Sequence, residues 1–207
     1  MKKILIGTLI LMLTALSCSQ APQSAGDAAL SVIMNRKSVR SFTGDKLTED
    51  QLTTILKAAM AAPTDKNNQP WQFIVVSDDE AKAAIPGADR GAAIRTAGAV
   101  IIVCGKTTME RVPRDNPAAE PETVPNNVWF LDCSAATENL LLAAEASGLG
   151  AVWFTCYPNE RKSSLVREAF AIPEGIEPFA IVPVGVPAED NAPKDKWNPD
   201  KIHYNRW

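Results

Sequence analysis

Ala99-Val100-Ile101-Ile102-Val103-Cys104 is an apolar run with no polar interruption. A strand that is apolar at every position, rather than at every second one, has no face to offer water. It must be covered on both sides. The remaining segments supply the cover. Helical and extended patterns alternate along the chain, which places helices on both faces of a sheet. At 207 residues with 46% apolar content, the chain is long enough to bury such a core in one domain.

The elements can be read in order. A short amphipathic helix carries Leu30, Ile33 and Met34, with Asp27 as its expected cap. Thr48-Glu49-Asp50-Gln51 is a capping box, and Leu52, Ile55, Leu56 and Ala59 continue one helical face until Pro63 stops it. A polar loop then leads into a strand over 71–76. A short helix is expected over 78–85. Residues 105–126 carry Pro113, Pro117, Pro121 and Pro125 and read as an irregular excursion, a lid or a partner-contacting arm. Residues 127–147 form the longest helix, stopped by Gly148. Its Ala135, Ala136, Ala143 and Ala144 permit a close helix neighbour, within one subunit or across a dimer. A strand over 151–154, a helix over 160–171 and a last strand over 179–185 follow. The tail, 186–207, ends in Tyr204-Asn205-Arg206-Trp207, and aromatics of that size should pack onto something.

Several chemistries are disfavoured. A net charge of -3 gives no broad electrostatic footprint for nucleic acid. The four cysteines make no C-x-x-C pair, and His203 is the only histidine, so zinc and a Ser-His-Asp triad are poor readings. Gly87, Asp89 and Gly91 do not form G-x-G-x-x-G, and no Walker lysine motif is present. Cys104 reads as a small buried hydrophobe. Cys156 has no His or Lys beside it in sequence to lower its pKa, so no catalytic role is assigned to it.

The first residues read as an address. Lys2 and Lys3 precede an apolar stretch over 4–13, and Ala15-Leu16-Ser17 leads into Cys18. This resembles a bacterial lipoprotein signal over 1–17, with Ala15 where Leu is commoner. Cys18 would become the lipidated N-terminus and the sole membrane attachment, each acyl CH2 contributing roughly 0.8 kcal/mol to anchoring. Simple secretion, with Cys18 incidental, is the other reading. Residues 18–26 are then a tether, and the domain runs over 27–207.

The basic stretch Arg36-Lys37-Ser38-Val39-Arg40-Ser41-Phe42 holds three cations and two hydroxyls. It is either a solvated charge run or an anion site. Val39 and Phe42 should turn it inward. In an extended backbone Arg36, Ser38 and Arg40 share one side, where guanidinium and hydroxyl groups can grip a phosphate.

Five segments in order give the stretch a context. Arg36-x-Ser38-x-Arg40-x-Phe42, Pro63-Thr64-x-x-Asn67-x-Gln69-Pro70-Trp71, Gly148-Leu149-Gly150-Ala151-Val152-Trp153, Pro183-Val184-Gly185-x-Pro187, and Lys194-x-Lys196 with His203-Tyr204-Asn205-x-Trp207 together resemble the FMN-dependent nitroreductase family. Thr64 stands where Ser is usual. The resemblance spans 27–207. It implies an α+β, three-layer αβα sandwich with a mixed central sheet, in an intertwined homodimer with an extended C-terminal tail. FMN would sit at the dimer interface. Arg36 and Ser38 would hold its phosphate from one side, with Lys194 and Lys196 closing from the tail. Arg40 would reach the ribityl chain or the pyrimidine edge, and Lys37 would offer mainly its backbone. Pro63, Thr64 and Asn67 of the second subunit would line the ring, with Trp153, Phe154 and Thr155 along its other edge. A backbone N–H near Thr155 or Cys156 would meet flavin N5. For Gln69-Pro70-Trp71, core packing at a strand start is the favoured reading.

The implied activity is ping-pong, two-electron reduction of a nitroaromatic, a quinone or a related small acceptor by NAD(P)H. No protein acid is needed, because donor, flavin and acceptor react when stacked. An exported chain has little access to NAD(P)H. A different donor, or a flavin carrier without turnover, therefore stays open as an alternative.

Overall fold

The computed structural model describes residues 24–207. The leader, Cys18 and most of the expected tether lie outside the described residues. Six helices, α1 (Ala25–Asn35), α2 (Glu49–Met60), α3 (Asp79–Ala83), α4 (Ala92–Thr96), α5 (Trp129–Ala146) and α6 (Glu160–Ala169), surround seven strands. The strands are β1 (Trp71–Val76), β2 (Ala99–Lys106), β3 (Thr108–Arg111), β4 (Glu122–Pro125), β5 (Gly150–Ala151), β6 (Phe154–Thr155) and β7 (Ile176–Gly185). The central sheet runs β1-β2-β7-β5, with β6 also on β7. These pairs are antiparallel, and a Ser38–Ala151 bridge adds a parallel component at the edge.

The unbroken apolar run is the middle of this sheet, and it is covered twice. Ile101 and Val103 face one core with Ile55 and Ala59 of α2 and Cys133, Ala136 and Leu140 of α5. Val100, Ile102 and Cys104 face a second core with Ile85 just past α3, Ile94 of α4 and Val166 of α6. Alternation along one strand thus feeds two opposite layers, and the α+β three-layer sandwich follows.

Local chemistry sets the helix ends. Thr48 Oγ1 accepts from the Gln51 N–H while Gln51 Oε1 accepts from the Thr48 N–H, the full capping box. Gly148 takes φ +70° just past α5, where a side chain would be strained. At α1 the sequence misplaces the cap. Ser24 caps it, and Asp27 lies in the first turn with its carboxylate bonded to the Ser24 hydroxyl. The domain's first helix therefore begins at Ala25, inside the segment expected to be a tether.

Two other expectations change. Residues 105–126 are only partly irregular: β3 and β4 pair from Thr108–Pro125 to Arg111–Glu122 in a two-stranded arm, joined by an irregular connection over 112–121. The expected strand over 151–154 is two short pieces, β5 and β6, interrupted at Val152 and Trp153.

The long helix lies close on the sheet because β2 carries a glycine, Gly105, next to its last residue. A Cβ on Gly105 would stand 2.4 Å from Trp129 Cε3 and 2.8 Å from Cys133 Sγ. Gly105→Ala should therefore overpack this seam and cost about 1–3 kcal/mol, measured as a lower midpoint in urea unfolding.

Candidate functional site

The basic segment leaves α1 and is pinned to the edge of the sheet. Val39 N–H donates to Ala151 O at 3.0 Å, and Ser38 bridges Ala151. Val39 and Phe42 are buried, as their place among the charges predicts. Gly150 makes the approach possible, since a Cβ there would lie 2.6 Å from Val39 Cβ. The start of the tail is tied to the same segment. Phe42 bridges Pro187, Thr43 N–H donates to Val186 O, and Ala188 N–H donates to Ser41 O, both at 3.0 Å.

The cations meet carboxylates of α5. Arg36 Nε lies 3.1 Å from Glu138 Oε1, but its N–H is turned off the oxygen. The contact is an ion pair, and the buried Nε–H makes no aligned hydrogen bond. Lys37 Nζ lies 3.6 Å from Glu145 Oε1, so its side chain is held against α5 rather than loose in water. Arg40 and Ser38 are exposed, and neither Arg40 side-chain ion pair nor hydrogen bond exists among the described residues. Arg36 and Lys37 are thus partly compensated by the carboxylates of α5.

Trp153, Phe154 and Thr155 follow directly on the strand that pins Ser38. More than a hundred residues of sequence separate the two groups, and the sheet edge joins them. Trp153 packs edge-on against Phe179 at 5.4 Å, and its buried Nε1–H has no partner among the described residues. Cys156 N–H donates to Phe179 O at 2.9 Å, so that group is committed to the fold and is not available to a ligand. Lys162 Nζ donates to Thr155 O at 2.7 Å.

Pro63, Thr64 and Asn67 sit elsewhere. Their loop follows α2 and is tied to α5 by Asp65 N–H donating to Asp132 Oδ1 at 3.0 Å. Asp132 to Glu138 is six residues, and Glu145 lies seven further, so the loop stands about 9 Å and 20 Å along the helix axis from the two ion pairs. Lys194 and Lys196 are exposed on the tail and make no ion pair among the described residues. One chain brings the basic segment and the Trp153–Thr155 edge together, and places the loop farther along α5. Pro70 and Trp71 are buried at the start of β1, the packing role read for them, whereas Gln69 is exposed and bonds within its own loop.

Comparison with known proteins gives this arrangement its family. The Nitroreductase family model matches residues 33–186. The chain belongs to the nitroreductase family. A Methanothermobacter thermautotrophicus protein named NADH dehydrogenase/NAD(P)H nitroreductase is 37% identical over 86% of this chain and 87% of its own length. A Bacteroides thetaiotaomicron structure of the same description is 39% identical with TM-score 0.73, covering 87% of this chain and 98% of that one. The FMN reductase (NADPH) of Bacillus subtilis is 26% identical over 84% of this chain and 72% of its own length. The family is one of oxidoreductases, so the basic seam lies in an NAD(P)H-type oxidoreductase.

The cysteines take no part in such chemistry. Burial pushes the Cys104 and Cys133 thiols up to about 12, and burial raises Cys156 as well, against the opposing pull of Lys162. At pH 8 the first two are thiolate in only about one molecule in ten thousand. Iodoacetamide should therefore leave all three unmodified in the native protein and label them after denaturation, as read by peptide mass mapping.

Proposed function

We propose that the chain is an FMN-dependent oxidoreductase. It reduces a nitroaromatic, a quinone or a related small acceptor by two electrons, with NAD(P)H or another donor, and works as a homodimer. The names of its relatives support the reading: NAD(P)H nitroreductase in one, FMN reductase (NADPH) in another. The observation that carries it is the seam in which Ser38 bridges Ala151, because it puts the basic segment at the sheet edge from which Trp153, Phe154 and Thr155 follow.

The residues fit a flavin mononucleotide. Arg36 keeps a buried Nε–H without an aligned acceptor, and Trp153 a buried Nε1–H without any. A phosphate would accept aligned, charge-assisted hydrogen bonds from Arg36, Lys37 and Ser38. Arg40 sets a fixed positive charge beyond the phosphate, where it favours a reduced, anionic ring system. Trp153, Phe154 and Thr155 exclude water from the ring edge. FMN, when bound, supplies two-electron transfer between a donor and an acceptor stacked on it in turn. A single open face used alternately by donor and acceptor makes the kinetics ping-pong.

Pro63, Thr64 and Asn67 of a second copy complete the ring site, and Lys194 and Lys196 close on the phosphate. The apolar surface supports the dimer. Leu30, Ile33 and Met34 of α1 are 52–75% exposed, and Trp207 is 98% exposed. Apolar area of this kind on an otherwise packed domain marks an interface.

The signal-like leader favours a second possibility for the donor. An exported chain would draw on a reductant other than NAD(P)H, or carry flavin without turnover. The purified protein should be yellow, and anaerobic NADH or NADPH should bleach it. Flavin bleached by dithionite but not by either nucleotide would replace NAD(P)H with another donor or a carrier role. A colourless protein that cannot be reconstituted with FMN would remove the enzyme reading. Arg36→Ala combined with Lys196→Ala should give a folded, colourless protein, and full yellow occupancy in that variant would refute the phosphate assignment.

We also propose export with lipidation at Cys18. Labelled palmitate should enter the full-length chain expressed in bacteria and be lost from Cys18→Ala, while an unlabelled wild type would leave simple secretion or no export.

A further inference from the structure

Asp132 is 6% exposed in the first turn of α5. Its Oδ1 accepts the Asp65 N–H, and its Oδ2 is buried with no partner among the described residues. An acid in the first turn of a helix complements the dipole. An unpaired buried carboxyl oxygen costs the fold stability. Stability alone does not explain this residue.

The loop it reaches does. Lys66, Asn67 and Gln69 take φ of 51°, 56° and 48°, a left-handed conformation that costs free energy for residues other than glycine. Most of the bonds that hold this turn lie inside it. Gln69 N–H donates to Thr64 Oγ1 at 3.4 Å, Gln69 Nε2 donates to Asn67 Oδ1 at 3.0 Å, and Lys66 pairs with Asp65 at 3.4 Å. Such bonds shape the loop without placing it. Among the described residues, the Asp65–Asp132 bond is the hydrogen bond that fixes residues 63–69 to another element.

We propose that Asp132 is a positioning residue for the flavin-lining loop, acting through the Asp65 N–H to set where Thr64 and Asn67 stand. The inference rests on the flavin reading above. Burial raises the Asp132 carboxyl, the Asp65 N–H lowers it, and the Asp65 carboxylate raises it again. A group held toward its neutral form is mimicked by an amide. Asp132→Asn keeps an acceptor for the Asp65 N–H, whereas Asp132→Leu removes the acceptor and the buried unpaired oxygen together.

The test compares wild type, Asp132→Asn and Asp132→Leu, with Asp132→Ala in reserve should the leucine not be accommodated. FMN affinity is measured by flavin fluorescence, amide exchange of residues 64–69 in the FMN-free protein, and melting temperature alongside. Asp132→Asn should bind FMN within about twofold of wild type and keep the Asp65 amide protected. Asp132→Leu should bind about ten- to a hundredfold more weakly and lose that protection, while its FMN-free melting temperature holds or rises. Unchanged affinity and exchange in Asp132→Leu would overturn the proposal. So would equal loss in Asp132→Asn, which would make the charge, not the hydrogen bond, the working part. If wild type binds no FMN, the flavin reading fails by itself, and the exchange comparison still decides whether Asp132 places the loop.

Discussion

The need to cover β2 and β7 on both faces governs where everything else goes. β2 gives Ile101 and Val103 to one side and Val100, Ile102 and Cys104 to the other, so neither face can be left to water. One layer is filled by α2 and α5, the other by α4 and α6 with Ile85. Gly105 lets α5 lie directly on the sheet, with Trp129 and Cys133 where a side chain would otherwise stand. That packing also fixes the functional geometry. Once α5 is seated, Asp132, Glu138 and Glu145 are fixed points along it, and the loop after α2 and the basic segment after α1 are placed by reaching them.

The charge arrangement around the basic segment is poised rather than tight. Partly exposed ion pairs contribute little net stability, and Glu138 is 44% exposed at its side chain. The Arg36–Glu138 contact also lacks an aligned N–H. These carboxylates orient Arg36 and Lys37 along α5 more than they stabilise the fold. A ligand phosphate would bring both charge and alignment, so it gains what the resting contact lacks. Arg40 and Ser38 need no release, since both are exposed already.

How legible this was depends on the range of the interaction. Period and capping are local, so β1 was read at its observed bounds and the capping box of α2 at its observed residues. The β3–β4 arm was not, because prolines masked it. Pro113, Pro117 and Pro121 fall in the connection, and Pro125 ends the ladder, where a missing N–H is tolerated. The cap of α1 was misread for a related reason: Ser24 and Asp27 are both good caps, and only their mutual bond shows which is outside the helix. The basic segment and the edge at Trp153–Thr155 were singled out by motif, and the structure brings them to one sheet edge. Glu138 and Glu145 were not, because on a helix of this length an acid reads as ordinary surface. Asp132 was hidden in the same way, since nothing local says that it is buried or that it reaches a loop sixty-seven residues earlier.

The tail is where the single chain is least complete. Its first residues are hydrogen-bonded beside Phe42, yet Trp197, Tyr204 and Trp207 are 73%, 81% and 98% exposed. Aromatic side chains of this size bury roughly 150–250 Å² each when they pack, so leaving them in water forgoes a substantial driving force. Under the proposed dimer that force and the flavin site become one equilibrium. Lys194 lies six residues beyond Ala188, a reach of at most about 20 Å for extended chain, and the Pro63–Asn67 loop stands apart from the cations of its own chain. Closing the site then requires the tail to be laid down and a second copy to be present. Anything that binds only the closed form shifts both steps together by mass action. FMN would therefore stabilise the dimer by the same free energy with which the dimer tightens FMN.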